Sequence, residues 1–148
     1  MLLAQRPLVP LAGPDDPRIA AAAERSPLVE RLELSEHADR DELRFREEIE
    51  PFGSGLDSAR GFLVRKRVLP YLDFALRRSG VRPRGEVVEL GAGSCWLSAG
   101  LACLPEVDHV VAVEFSRRRL VEIAPATLAL LDAPAEKVER RVADFYAD

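Results

Sequence analysis

Val87-Val88-Glu89-Leu90-Gly91-Ala92-Gly93-Ser94-Cys95-Trp96 is the stretch whose reading decides the fold. Its short apolar, β-branched opening reads as a buried strand. Gly91 and Gly93 follow, and glycine takes backbone angles closed to other residues while leaving room for a ligand against the main chain. From Cys95 to Leu104 the chain is apolar nearly all round, as in a helix packed deep against a sheet. A glycine turn at the carboxyl end of a strand is where open α/β sheets bind nucleotide-like ligands.

Downstream the pattern repeats. His109-Val110-Val111-Ala112-Val113-Glu114 is a second, valine-rich strand, and Ser116 is a helix N-cap. Leu120, Ile123, Ala124, Thr127, Leu128 and Leu131 then recur at helical spacing, interrupted by Pro125. Val138 to Asp144 is a third strand. Strand–helix–strand–helix–strand implies parallel pairing through right-handed crossovers. The expected fold class is α/β: a Rossmann-like three-layer sandwich with a partial parallel sheet of three strands, preceded by an N-terminal helical segment.

Upstream, residues 1–18 carry Pro7, Pro10, Pro14 and Pro17 and read as an extended, loosely held leader. Residues 19–84 form the helical segment. Ile19 to Arg25 is a short alanine-rich helix stopped at Ser26-Pro27. Leu28 to Glu50 is charged, with Glu42/Arg46 and Arg44/Glu48 at helical pair spacing, and reads as one or two solvated helices. The acids Glu47, Glu48 and Glu50 fall on a wet face of it. Pro51-Phe52-Gly53-Ser54-Gly55 is a break that would serve as a hinge. A long apolar-periodic segment follows, containing Phe62, Leu63, Leu69, Leu72, Phe74 and Leu76, to be divided or kinked at Pro70 and ended at Gly80. Residues 85–148 are the sheet-forming part.

Composition narrows the class. The chain has 148 residues, 47% hydrophobic and 31% charged, which suits one globular domain rather than a disordered segment. A net charge of -4 supplies no basic field for nucleic acid. Cys95 and Cys103 lie eight apart in the predicted helix, about 12 Å along its axis and too far for a disulfide. A reduced, cytoplasmic setting is expected. No run approaches the roughly 20 apolar residues that cross a bilayer. His37 and His109 have no partners at metal-ligand spacing, so no metal is expected. Arg117-Arg118-Arg119 reads as a solvated helix start, Cys95 and Cys103 as small core residues, and Trp96 as packing bulk.

The Gly91/Gly93 turn, Glu114 and Asp144 each end one of three successive strands, so they share a sheet edge and can converge on one ligand. A carboxylate ending the second strand is placed to accept both hydrogens of a ribose diol.

Glu89-Leu90-Gly91-Ala92-Gly93-Ser94, Val111-Ala112-Val113-Glu114-Phe115-Ser116 and Ala143-Asp144-Phe145 together resemble the class I S-adenosylmethionine-dependent methyltransferases, over roughly residues 84–148. The resemblance implies S-adenosyl-L-methionine as cofactor. It places Glu89, Gly91, Ala92, Gly93 and Ser94 under the methionine end of the cofactor and Glu114 on the ribose hydroxyls. Phe115 would flank the adenine, while Asp144 would face the adenine amino group with Phe145 beside it. Many members of that family carry a third glycine where this chain has Cys95. Their sheet has seven strands, so the expectation is an amino-terminal half of such a domain, inactive until completed, with an exposed sheet edge open to self-association. Catalytic residues are not assigned. The methyl acceptor is undetermined, with a small molecule favoured over protein or nucleic acid.

Two other functions compete. An NAD(P)-dependent oxidoreductase also uses a glycine turn and a strand-end acid, but its G-x-G-x-x-G/A fingerprint meets Trp96 at the last position. A non-catalytic Rossmann-like fragment needing a partner chain is the other.

Overall fold

A computed structural model describes residues 3–31 and 53–144 of the chain. The charged segment from residue 32 to 52, with its Glu42/Arg46 and Arg44/Glu48 spacings and its acidic cluster, lies outside the described residues, as do His37 and Phe145.

The fold is α/β, built on a parallel sheet of four strands. Helix α1 (Pro17–Arg25) leads into strand β1 (Leu28–Glu30). Helix α2 (Gly55–Arg60) runs on through a π-helical turn at Gly61–Arg65, and α3 (Val68–Ser79) follows. Strand β2 (Gly85–Leu90), α4 (Trp96–Ala102), β3 (Val107–Glu114), α5 (Ala124–Leu130) and β4 (Val138–Val142) complete the order. The strands stand side by side as β1-β4-β3-β2.

The sheet therefore has four strands, not three. The addition is Leu28–Glu30, within a stretch expected to be helical, which pairs parallel to β4 with Val29 opposite Arg141. Three residues are too few to show a strand's alternation, and all three are exposed. The pairing is imposed from outside the segment: Arg140 N–H donates to Pro27 O at 2.7 Å and Arg31 N–H to Val142 O at 2.9 Å.

Arg140 holds this edge in place. Its side chain is 3% exposed, yet it faces carbonyls and a hydroxyl. Nε donates to Ser26 Oγ at 3.0 Å, Nη1 to Leu120 O at 2.9 Å, and Nη2 to both Ala23 O and Ser26 O at 2.7 Å. One guanidinium thus ties β4 to the end of α1 and to the helix after β3. Burial pulls its pKa below the ordinary arginine value.

The leader is packed rather than loose. Leu3 and Leu11 are buried. Leu3 N–H donates to Asp73 Oδ1, Val9 N–H to Leu130 O, and Arg6 Nε to Leu131 O. Asp16, its carboxyl held well below the usual range by Arg18, caps α1, with Pro17 at the first helical position. Prolines set an extended path here, but the leucines between them enter the core.

Gly53-Ser54-Gly55 is an anchored helix start. Ser54 and Asp57 form a reciprocal capping box on α2. A Cβ on Gly55 would lie 2.2 Å from Glu122 O, so this glycine is what lets α2 touch the chain after β3. The long apolar segment divides where Arg67 takes a left-handed conformation (φ 50), three residues before Pro70, which sits in the first turn of α3. Gly80 ends α3 as expected, its N–H on Leu76 O. Pro125, lacking an N–H, stands just after a π-helical turn at Arg119–Ile123.

Val110, Ala112, Leu120, Ile123, Leu128 and Val138 are the centre of the core. Among the described residues β2 pairs only with β3, and its Val88 and Leu90 are 56% and 63% exposed. No helix among the described residues is long and apolar enough to cross a membrane.

Arg140→Leu is expected to lower the unfolding free energy by about 3 kcal/mol in a urea titration, because four acceptors, three of them in buried contacts, lose a charged donor. A loss under about 1 kcal/mol would show that the fork does not hold the edge.

Candidate functional site

Strand β2 carries Glu89 to the sheet's carboxyl edge and delivers the chain into the turn Gly91–Cys95. Gly91 (φ 73) and Gly93 (φ 54) are both left-handed, and a Cβ at either would meet no atom within 4 Å. The glycines are needed for their backbone angles, and the space in front of them is open. Cys95 is left-handed too (φ 59), at the position where many proteins of the resembled family have a third glycine. Its side chain is fully buried, and burial pushes its thiol well above the usual range, as it does less strongly for Cys103. Both are unsuited to nucleophilic work.

Strand β3 secures the turn. Gly91 N–H and Ala92 N–H both donate to Val113 O at 2.9 Å. Gly93 N–H donates to Glu114 Oε2 at 2.7 Å. Glu114 is 1% exposed, and its other oxygen accepts from Ser116 N–H at 3.0 Å and from Arg119 Nη1 at 3.4 Å. One carboxylate thus links the glycine turn, the end of β3 and the start of the next helix. Ser116 caps that helix, its Oγ accepting from Arg119 N–H at 3.3 Å.

Strand β4 adds Asp144, buried two residues beyond Val142. Ala143 N–H donates to Glu114 O at 3.1 Å, which holds this segment beside the end of β3. The predicted strand-end acids therefore share one edge. Glu114 is joined to Gly93 directly, and Asp144 lies one strand further along.

Glu89 accepts a hydrogen bond from the Ser98 hydroxyl in the first turn of α4. Burial pushes its carboxyl up to about 7; the Ser98 bond opposes that shift and the nearby Glu114 charge adds to it. Ala92 is 1% exposed and offers a ligand its backbone only. Ser94 is 4% exposed, and its Oγ has no hydrogen-bond partner among the described residues. A buried hydroxyl with nothing to bond is costly, and a polar ligand atom is one way to satisfy it.

A recess of about 130 Å³ opens over the turn, lined by Gly91 to Ser94 and closed by Phe62, Trp96, Arg119 and Ile123. The sequence reading did not single out Phe62, Ser98 or Arg119 for this site. Arg119 was expected to be solvated with its neighbours. Instead its side chain is 12% exposed and paired with Glu114, while Arg117 bridges Glu30 at 2.8 Å and Arg118 bridges Glu122 at 3.2 Å. The Arg119 guanidinium also lies over the Phe115 ring, 5.6 Å from its centroid. The available signal was position: Arg119 is five residues past the strand-end acid and within one turn of the Ser116 cap. Phe62 comes from a distant helix and leaves no local mark. No three His, Cys, Asp or Glu side chains among the described residues could hold a metal; His109 stands 3.8 Å from Glu139.

No protein-family model matches the sequence, and no curated protein matches it.

Glu89 makes stability pH-dependent with a definite sign. Its folded pKa is raised, so between the ordinary carboxylate value of 4.5 and about 7 the folded chain keeps a proton the unfolded chain has lost. Stability due to this group is highest below pH 4.5 and falls as pH rises to 7. Glu89→Gln has no such loss. In urea titrations its stability should gain on the wild type by about 2–3 kcal/mol between pH 4.5 and 7.5, then level. A difference that stays flat across that window would contradict the burial of this carboxyl.

Proposed function

We propose that the chain carries the cofactor-binding part of a Rossmann-like S-adenosylmethionine-dependent methyltransferase domain. One observation carries the reading: the Glu114 carboxylate stands 2.7 Å from the N–H of Gly93, in a turn whose two glycines face open space. That joins the two features an adenosine-type cofactor needs, a backbone surface without side chains and an acid ending the next strand.

The residues fit the group at its amino-acid end. Open glycines, an unsatisfied buried Ser94 hydroxyl and a raised Glu89 acid surround or adjoin the turn. The recess of about 130 Å³ is below the roughly 300–1,000 Å³ of a whole ligand pocket, so it would take part of the cofactor. At the ribose end Glu114 already accepts from Gly93, Ser116 and Arg119. A carboxylate has about four acceptor positions, so a diol takes the remaining one and displaces the longest bond, that from Arg119. Phe115 is covered by the same arginine, which must shift for adenine to lie there. Asp144 and Phe145 keep the adenine-side roles the resemblance implies.

When bound, the cofactor supplies a methyl group activated on a sulfonium for in-line transfer to a nucleophile. The chain's own contribution is position and exclusion of water. Gly91 and Gly93 admit the cofactor to the backbone, Glu114 orients the ribose, and Phe62 and Trp96 close the recess. Ionised Glu89 would balance the ligand's ammonium. A small-molecule acceptor is favoured, since a net charge of -4 gives no field for nucleic acid. Trp96 fills the start of α4 where a dinucleotide site needs a small residue, which disfavours NAD(P).

Calorimetric titration with S-adenosylhomocysteine and with NADH tests the reading. Binding of the first alone is expected, lost in Gly93→Ala, which places a methyl in the open space and strains a left-handed backbone. Affinity should rise with pH, by up to about tenfold per pH unit below 7, and then level, because an ammonium favours ionised Glu89. Binding of NADH alone would favour the oxidoreductase, and binding of neither the non-catalytic fragment.

A further inference from the structure

We propose that the exposed face of α3, with the cations that flank it, is a docking surface for an anionic phospholipid membrane, which the chain touches without crossing. The proposal is independent of the cofactor reading above.

Charge is unevenly spread along this chain. Its net charge is -4, yet residues 60–84 carry eight basic side chains and one acidic, Asp73. Lys66, Arg67, Arg77, Arg78, Arg82 and Arg84 are exposed, and none of these six is in an ion pair among the described residues. The rest of the chain is correspondingly acidic. An anionic surface therefore attracts this segment and repels the remainder, which gives the encounter an orientation.

Apolar surface lies among these cations, because α3 is apolar on two faces. Val68, Leu69 and Leu72 are buried, the two leucines against Gly100 of α4. Tyr71 and Phe74 turn the other way, 69% and 65% exposed, with Arg78 on their face at helical spacing. Val64 and Val81, each 57% exposed, bracket them in sequence. Four of the eight large apolar side chains exposed among the described residues thus fall within the basic stretch. Apolar side chains gathered on a helix whose core face is already filled mark a surface that a partner covers.

A recess of about 460 Å³ adjoins this face, lined by Pro70, Asp73, Phe74, Arg77 and Arg78. Sites for small ligands span roughly 300–1,000 Å³, so a lipid headgroup fits. Asp73 is 7% exposed and accepts from Leu3 N–H at 3.0 Å, while Arg77 and Arg78 stand in solvent. The recess thus presents two guanidinium groups, which suit the oxygens of a phosphate. Rings that enter the headgroup layer between cations that hold phosphates are the make-up of interfacial helices. A cluster of cations draws such a helix to anionic lipid. A single-stranded nucleic acid would use the arginines and the two rings, but it leaves Val64 and Val81 bare. A lipid interface takes all four apolar side chains.

The test is co-sedimentation of the full chain with two kinds of vesicle, one of phosphatidylcholine alone and one of about two parts phosphatidylcholine to one part phosphatidylserine. The chain should sediment with the anionic vesicles only, and should be released when salt rises from about 0.1 M to about 0.5 M. Arg77→Gln/Arg78→Gln should weaken binding about twentyfold, and Tyr71→Ser/Phe74→Ser about tenfold. Arg25→Gln, outside the segment, should leave it unchanged. No sedimentation, equal sedimentation with both vesicles, indifference to either double substitution, or an equal loss in Arg25→Gln overturns the proposal. The two double variants are read separately, so should one fail to fold by circular dichroism, the other decides. Fluorescein-labelled oligouridylate, followed by anisotropy, is the nucleic-acid arm. Its binding in place of the vesicles overturns the proposal. Where both bind, a Val64→Ser/Val81→Ser loss confined to the vesicles supports the lipid surface, and any other result overturns it.

Discussion

A buried carboxylate needs several donors to be tolerated, and Glu114 finds them in parts of the chain far apart in sequence. Gly93 lies 21 residues before it, while Ser116 and Arg119 follow two and five residues after it. A charge in a low-dielectric interior costs several kcal/mol unless hydrogen bonds offset it. That cost is what closes the glycine turn onto β3 and fixes the entry of the next helix. The turn's position and the recess above it follow from this one group.

Arg140 plays the matching part away from the site. It sits on β4, in register with Ala112 of β3 and Leu28 of β1. Its bonds to the end of α1 and to Leu120 O recruit an N-terminal strand into the sheet. The helix it braces is the one whose first turn carries Arg119. An edge clamp and a site residue are thus linked through a few turns of backbone. Gly55 adds a third brace by letting α2 approach Glu122 closely.

The parallel core was legible because its strands are long enough to show their character. The eight residues of β3 are mostly valine and alanine, and Gly91 and Gly93 mark the turn without ambiguity. The convergence of Gly93 and Glu114 followed from strand order alone. What could not be read was set by contacts between distant segments. β1 has three exposed residues and exists because Arg140 and Val142 offer it partners. The leader's leucines find a core the local prolines do not reveal. Arg119 looks like one of three solvated arginines, and only the position of Glu114 selects it. Gly55 looks like part of a flexible turn until Glu122 O is seen 2.2 Å from where its Cβ would be.

Backbone amide shifts in a ¹⁵N-labelled sample, followed as S-adenosylhomocysteine is added, test the central claim most directly. The account expects the largest changes at Gly91 to Ser94 and at Glu114 to Ser116, because one carboxylate ties these two segments to each other and to the ligand. An unchanged spectrum, or changes confined to segments such as α1 and β1, would contradict a cofactor site at this edge of the sheet.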